Sequence, residues 1–256
     1  MDLPKNKFKA ALRDGKTQLG LWCTLADAYA AEIVAGSGFD WLLFDTEHSP
    51  ADVETVLSQL QAVAAYDVSP VVRPASNDIV LIKRLLDIGA QSLLIPYVQS
   101  AEEARRAVAA IRYAPDGVRG VSAVTRATRF GRVKDYAKKA AGELCLLVQI
   151  ETQAGLDALE QIAAVDGIDG IFIGPADLAA SLGYPGEPNH PKVRTAIEDA
   201  VKRIKACGKP AGILTPDAAF AKHLMTMGVV FTAVGIDAMA LVKASEALLA
   251  QFQDKT

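Results

Sequence analysis

The chain has 256 residues, three cysteines, 51% hydrophobic residues and a formal net charge of −3. A chain of this length holds one large domain or two small ones, and buries roughly three quarters of its unfolded surface without disulfide staples. The mild charge argues against general affinity for nucleic acid or an acidic membrane, and Cys23, Cys145 and Cys207 lack metal-ligand spacing.

The opening stretch MDLPKNKFKAALRDGK is too charged for a secretory signal. No apolar run approaches the roughly 20 residues of a membrane span. A soluble cytoplasmic protein with reduced thiols is expected. Eight short apolar runs then follow: LGLWCTL from 19, WLLFDT from 41, SPVVRPA from 69, SLLIPYV from 92, LCLLVQIE from 144, GIFIGPAD from 170, PAGILT from 210 and VFTAVGID from 230. Their continuous apolar character suits parallel strands covered on both faces. Segments such as ADVETVLSQLQAVAAY and SAEEARRAVAAIRY place apolar residues three and four apart, as amphipathic helices do. The first of these is predicted to run from Ser49 or Ala51 to Tyr66, with Ser49 as cap and Pro50 in the first turn.

Eight strand–helix units in this length predict a single (β/α)8 TIM-barrel domain spanning residues 1–256. A doubly wound open sheet is the alternative, but no GxGxxG follows the first strand. A long basic insert at about 112–142, between the fourth and fifth strands, is expected to hold more than one helix and to form a solvated or subunit-contact surface.

Catalytic groups of such barrels cluster at the C-terminal strand ends. Those ends carry Asp45, Glu47 and His48 after the second strand, and Arg73 after the third. The fifth contributes Gln149 and Glu151, and the sixth Gly174, Pro175, Ala176 and Asp177. Each has a plainer reading. Arg73 could hold a rim salt bridge, Glu151 and Asp177 could cap helices, and His48 could be a surface loop residue. His190 and His223 are read as structural. Together, two carboxylates with no His or Cys beside them make a hard-oxygen site suited to Mg²⁺ or Mn²⁺. A guanidinium can grip a carboxylate with two parallel hydrogen bonds, and the GPAD helix start offers an anion seat. That combination suits a 2-oxo acid and its enolate. An imine-forming aldolase would need a lysine at a strand end, and none of the eight has one.

The stretches FDWLLFDTEHSP, PVVRP, LLDIGAQSLLIPYV, RYAPDGVRGV, VQIET and GIFIGPADLAASLGYPG resemble the HpcH/HpaI aldolase family over nearly the whole chain. The resemblance implies a (β/α)8 barrel, a homo-hexamer of helix-swapped dimers, and a divalent metal (Mg²⁺, Mn²⁺ or Co²⁺) held by Glu151 and Asp177. It implies that Arg73 holds pyruvate, that His48 is the general base, and that Asp87 raises its basicity. Gln149, Gly174, Ala176 and Asp177 would bind substrate. The implied reaction is reversible cleavage of a 4-hydroxy-2-oxo acid to pyruvate and an aldehyde such as succinic semialdehyde. Alternatives are an oxaloacetate decarboxylase, a 2-dehydro-3-deoxyglucarate aldolase, or a barrel that only binds a metabolite. Small molecules, with no nucleic acid or membrane, are the expected partners. Leu214 and the insert from Arg119 to Arg132 are candidates for the aldehyde pocket. Asp87 lies at the end of a helix pattern, where the inactive face is expected, so strand reading alone would favour Asp45 as the partner of His48.

Overall fold

The computed structural model describes residues 1–253. Eight parallel strands close into a barrel in sequential order: β1 (Gln18–Cys23), β2 (Trp41–Asp45), β3 (Ser69–Arg73), β4 (Ser92–Ile95), β5 (Cys145–Ile150), β6 (Gly170–Ile173), β7 (Ala211–Leu214) and β8 (Val229–Ile236). The predicted (β/α)8 fold is the observed one. A helix, α1 (Lys7–Arg13), precedes the barrel. Around it run α2 (Ala28–Ala35), α3 (Val53–Ala62), α4 (Ile79–Asp87), α5 (Ala101–Ile111), α6 (Tyr136–Glu143), α7 (Gln153–Asp157), α8 (Leu159–Ala163), α9 (Pro175–Ser181), α10 (Pro191–Ala206), α11 (Ala218–Met227) and α12 (Asp237–Ala250).

Two apolar layers hold the fold. One lies between the strands and the helix ring and includes Leu42, Phe44, Ile82, Leu86, Ile171 and Ile197. The other fills the barrel with inward side chains, among them Trp41, Leu43, Val71, Leu94, Leu147, Phe172 and Phe231. Strands buried on both faces need both layers, which is why they read as unbroken apolar runs. Phe8 of α1 plugs the N-terminal end, its ring centroid 5.6 Å from Trp41 and 5.9 Å from Phe231. Gly20 makes room for the Trp41 ring on which Phe8 packs: a Cβ there would lie 2.6 Å from Trp41 Nε1.

Two details differ from the sequence-based expectations, and a third was not anticipated. Helix α3 starts at Val53 with Asp52 as its cap, the Asp52 side chain accepting from the Thr55 amide at 2.8 Å. Ser49 is not the cap because its hydroxyl donates to the Asp45 carbonyl and closes the loop after β2. The insert holds one α-helix, α6. Residues before it form turns, tied by Thr128, whose hydroxyl donates to the Ala123 and Thr125 carbonyls and accepts from the Thr125 and Gly131 amides. Its Val118, Val121, Val124 and Phe130 are exposed. Finally, α12 leaves most of its side chains exposed, including Leu241, Val242, Leu248 and Leu249; Asp237 is its one buried residue.

Candidate active site

Side chains alternate along a strand, so residues two apart share a face. On β2 the inward face reads Trp41, Leu43, Asp45: two rungs of core, then a carboxylate at the C-terminal mouth. On β3 it reads Val71, Arg73, and on β5 Cys145, Leu147, Gln149. A cavity of about 210 Å³ opens there. Its walls are Trp22, Thr24, Asp45, His48, Arg73, Gln149, Glu151, Phe172, Gly174, Pro175, Ala176, Asp177, Leu214 and Ile236. Trp22 and Phe172, with ring centroids 5.5 Å apart, belong to both the cavity wall and the interior core.

Asp45 and Arg73 face each other in register across β2 and β3. Arg73 donates from Nε to Asp45 Oδ1 at 2.9 Å and from Nη2 to Oδ2 at 2.6 Å. The pair is buried, with 1% of the Asp45 side chain and 6% of the Arg73 side chain exposed. Burial alone would raise the Asp45 pKa. The hydrogen bonds and charge of Arg73, with the Glu47 amide and the Trp22 indole, hold it below the ordinary value. The other guanidinium nitrogen, Nη1, lies 2.8 Å from Glu47 Oε2. Burial, followed by the charges of Asp45 and Asp177, pushes the Glu47 pKa up in spite of Arg73 and His48. The His48 ring stands at the rim, two-thirds exposed, with Nε2 4.0 Å from Glu47.

Glu151 follows β5 and is 2% exposed. Its Oε1 accepts from the Tyr97 amide at 2.8 Å and its Oε2 from Gln149 Nε2 at 2.6 Å. Burial raises its pKa to about 8, the charges of Asp177 and Glu47 adding to the effect and the Tyr97 amide and Arg73 opposing it. Asp177 lies in the first turn of α9, and Gly174 begins that helix without a side-chain cap. Among the described residues, no group of three or more His, Cys, Asp or Glu side chains is arranged to hold a metal ion. The candidate donors are two carboxylates, Glu151 and Asp177. Both would be hard oxygen ligands with coordination positions left open, and the buried one has only the distant charge of Arg73 to offset its own. A divalent cation fits that deficit.

His48, Arg73, Gln149, Glu151, Gly174, Ala176 and Asp177 therefore meet at one cavity, as does Leu214. The rim salt bridge considered for Arg73 exists, but it points the guanidinium into this cavity wall. Capping does not account for Glu151, because Thr152 caps α7 through the Gly155 amide. His190 caps α10, and His223 pairs with Glu198 on the outer helices. Asp87 is not brought to His48. It ends α4 at the N-terminal end of the barrel, with its Oδ1 3.3 Å from Arg119 Nη2. Strand reading missed Trp22, Thr24, Phe172 and Ile236. The alternating parity of β1 carried the signal for Trp22.

The HpcH/HpaI aldolase/citrate lyase family pattern matches residues 18–244. A pyruvate aldolase of Rhizobium etli is 68% identical over 252 residues, covering 98% of this chain and 99% of that protein. A 4-hydroxy-2-oxo-heptane-1,7-dioate aldolase of Salmonella dublin is 56% identical over 249 residues, covering 97% and 95%. The crystal structure of a family protein from Burkholderia cenocepacia superposes with a TM-score of 0.94 at 39% identity, covering 97% of this chain and 99% of that one. With its barrel, its carboxylate pair and these likenesses, the chain belongs to the HpcH/HpaI aldolase/citrate lyase family.

Proposed function

We propose that this chain, an aldolase of that family, reversibly cleaves a 4-hydroxy-2-oxo acid to pyruvate and an aldehyde at the C-terminal mouth of its barrel. One observation carries the reading: carboxylates, guanidinium and imidazole from four separate strand ends converge on a single cavity. The names of the relatives at 68% and 56% identity support it.

Glu151 and Asp177 would hold a divalent cation, Mg²⁺, Mn²⁺ or Co²⁺, which would supply Lewis-acid charge for the 2-oxo acid. Arg73 spends two of its N–H groups on Asp45 and keeps the others for Glu47 and the substrate oxygens. Gln149, Gly174 and the Ala176 backbone seat the pyruvate end. His48, free at the rim, takes the proton of the C4 hydroxyl as the C3–C4 bond breaks. Leu214, Ile236 and Trp22 give the aldehyde an apolar wall. Among the described residues no arginine of the insert lines the cavity of a single chain.

Asp87 needs a second copy of the chain to act on His48. Helix α4 separates the two ends of the barrel by about 13 Å, from nine residues at 1.5 Å each. The exposed apolar side chains of α12 and of the insert support a homo-hexamer of helix-swapped dimers. No helix is long and apolar enough to cross a membrane among the described residues; a cytoplasmic location is part of the proposal.

The test follows cleavage of a hydroxy-oxo acid and exchange of pyruvate methyl protons with D₂O. EDTA-treated protein is expected to lose both, and Mn²⁺ to restore them. Full activity in thoroughly chelated protein would end the reading.

A further inference from the structure

The carboxylate of Asp45 is the most heavily engaged polar group of the mouth. Its Oδ1 accepts from Arg73 Nε and from the amides of Glu47 at 3.0 Å and His48 at 3.4 Å. Its Oδ2 accepts from Arg73 Nη2 and from Trp22 Nε1 at 3.2 Å. Five donors thus hold one side chain that solvent does not reach. The Trp22 ring also lies against the guanidinium, its centroid 4.8 Å from Arg73 Cζ. The backbone reinforces the arrangement, because the Arg73 carbonyl accepts from the Thr46 amide at 3.0 Å and the Thr46 hydroxyl at 2.7 Å.

A guanidinium on three flexible methylenes does not choose one orientation unaided. Here Nε and Nη2 are fixed on Asp45, one face is covered by Trp22, and only the Nη1 side meets Glu47. Asp45 cannot be the partner that raises the basicity of the His48 ring, as the strand pattern suggested, since both its oxygens are taken. We propose that Asp45, with Trp22, is a positioning residue that aims Arg73 at the substrate oxygens and contributes to binding only through Arg73. This rests on the reading of Arg73 as the anion grip.

A double-mutant cycle tests it. The probe is oxalate, a planar dianion shaped like the pyruvate enolate, titrated calorimetrically in excess Mn²⁺ against the wild type, Asp45→Asn, Arg73→Ala and the double variant. Breaking a buried charge pair is expected to raise the Asp45→Asn dissociation constant about 10- to 100-fold. In the Arg73→Ala background the same change is expected to alter it by less than about twofold. An equal factor in both backgrounds would overturn the proposal and leave the Arg73 grip standing. Normal oxalate binding by Arg73→Ala would remove the grip and the proposal together. If removing a partner of the buried pair prevents folding, Trp22→Phe takes the place of Asp45→Asn. It removes the indole N–H and narrows the ring that covers the guanidinium, and is expected to raise the constant by about threefold. The same loss with Arg73 replaced by lysine, which cannot span both Asp45 oxygens, would refute the positioning role.

Discussion

Replacing Gly174 by alanine adds one methyl group at the most crowded point of the mouth. Its Cβ would lie 2.6 Å from Gln149 Nε2 and 2.9 Å from Glu151 Cβ, and would press on Glu151 Oε2. Ordinary contacts of this kind sit at about 3.5–4.0 Å, so roughly an ångström must be found. The backbone of Gly174 has φ −96°, which any residue adopts, so the change is steric alone. That backbone is pinned by Gly174 N–H on the Ile150 carbonyl at 3.1 Å and by Leu178 N–H on the Gly174 carbonyl at 3.1 Å. The side chains must therefore yield, and Glu151 gives up its bond from Gln149. Overpacking of this kind costs about 1–3 kcal/mol of stability. Displacing a metal ligand or its partner weakens metal binding by about 10- to 100-fold. Calorimetric titration of Mn²⁺ into metal-free protein, with thermal melts alongside, reads both quantities. The control is Gly142→Ala, where a Cβ meets nothing within 4 Å; there α6 is expected to gain roughly 0.5–1 kcal/mol in helix propensity. Wild-type Mn²⁺ affinity in Gly174→Ala would show that Glu151 is not a ligand held in this position.

Phe231→Ala empties the centre of the barrel, where the ring packs on Phe8, Trp41 and Phe172; urea unfolding is expected to show a loss of about 3–5 kcal/mol. Glu151 has a folded-state pKa near 8, above its ordinary 4.5. Metal-free protein therefore holds the proton that the unfolded chain releases, and its stability is expected to fall as pH rises from about 4.5 to 8, by at most about 5 kcal/mol. Melting curves across that range should show the slope, and Mn²⁺ or Glu151→Gln should flatten it. Leu241→Glu with Leu248→Glu places charge on the exposed apolar side chains of α12. Light scattering is expected to report a smaller assembly with unchanged circular dichroism, and an unchanged mass would count against the α12 contact.

Strand ends were legible because two periodicities coincide. The apolar run gives the strand and its end, and in the structure parity puts Arg73 and Gln149 on the inward face of Val71 and Leu147. What lay outside local pattern was not legible. Nothing in HSP announces that Ser49 bonds back to Asp45 and leaves the cap to Asp52. The turns of the insert depend on one threonine hydroxyl rather than on helix propensity. Asp87 is the sharpest case. Its place opposite the mouth agrees with its helical position, and the role implied by resemblance requires another chain, which no periodicity within this sequence encodes.

The charge balance at the mouth argues against an inert rim. Asp45, Glu47, Glu151 and Asp177 stand against a single guanidinium among the described residues of the wall, and Asp45 takes two of its donors. A structural ion pair cancels its own charge. Here the leftover acids raise one another, Asp177 and Glu47 acting on Glu151, Asp45 and Asp177 acting on Glu47. Keeping such carboxylates ionised without a counter-charge costs several kcal/mol, so Glu151 holds its proton at neutral pH until a cation completes the site. A divalent ion would offset most of that excess and leave the anionic end of a 2-oxo acid facing Arg73. The burial that raises the pKa of the acid closing the apolar run of β5 is what would make that acid gain from a cation beside it.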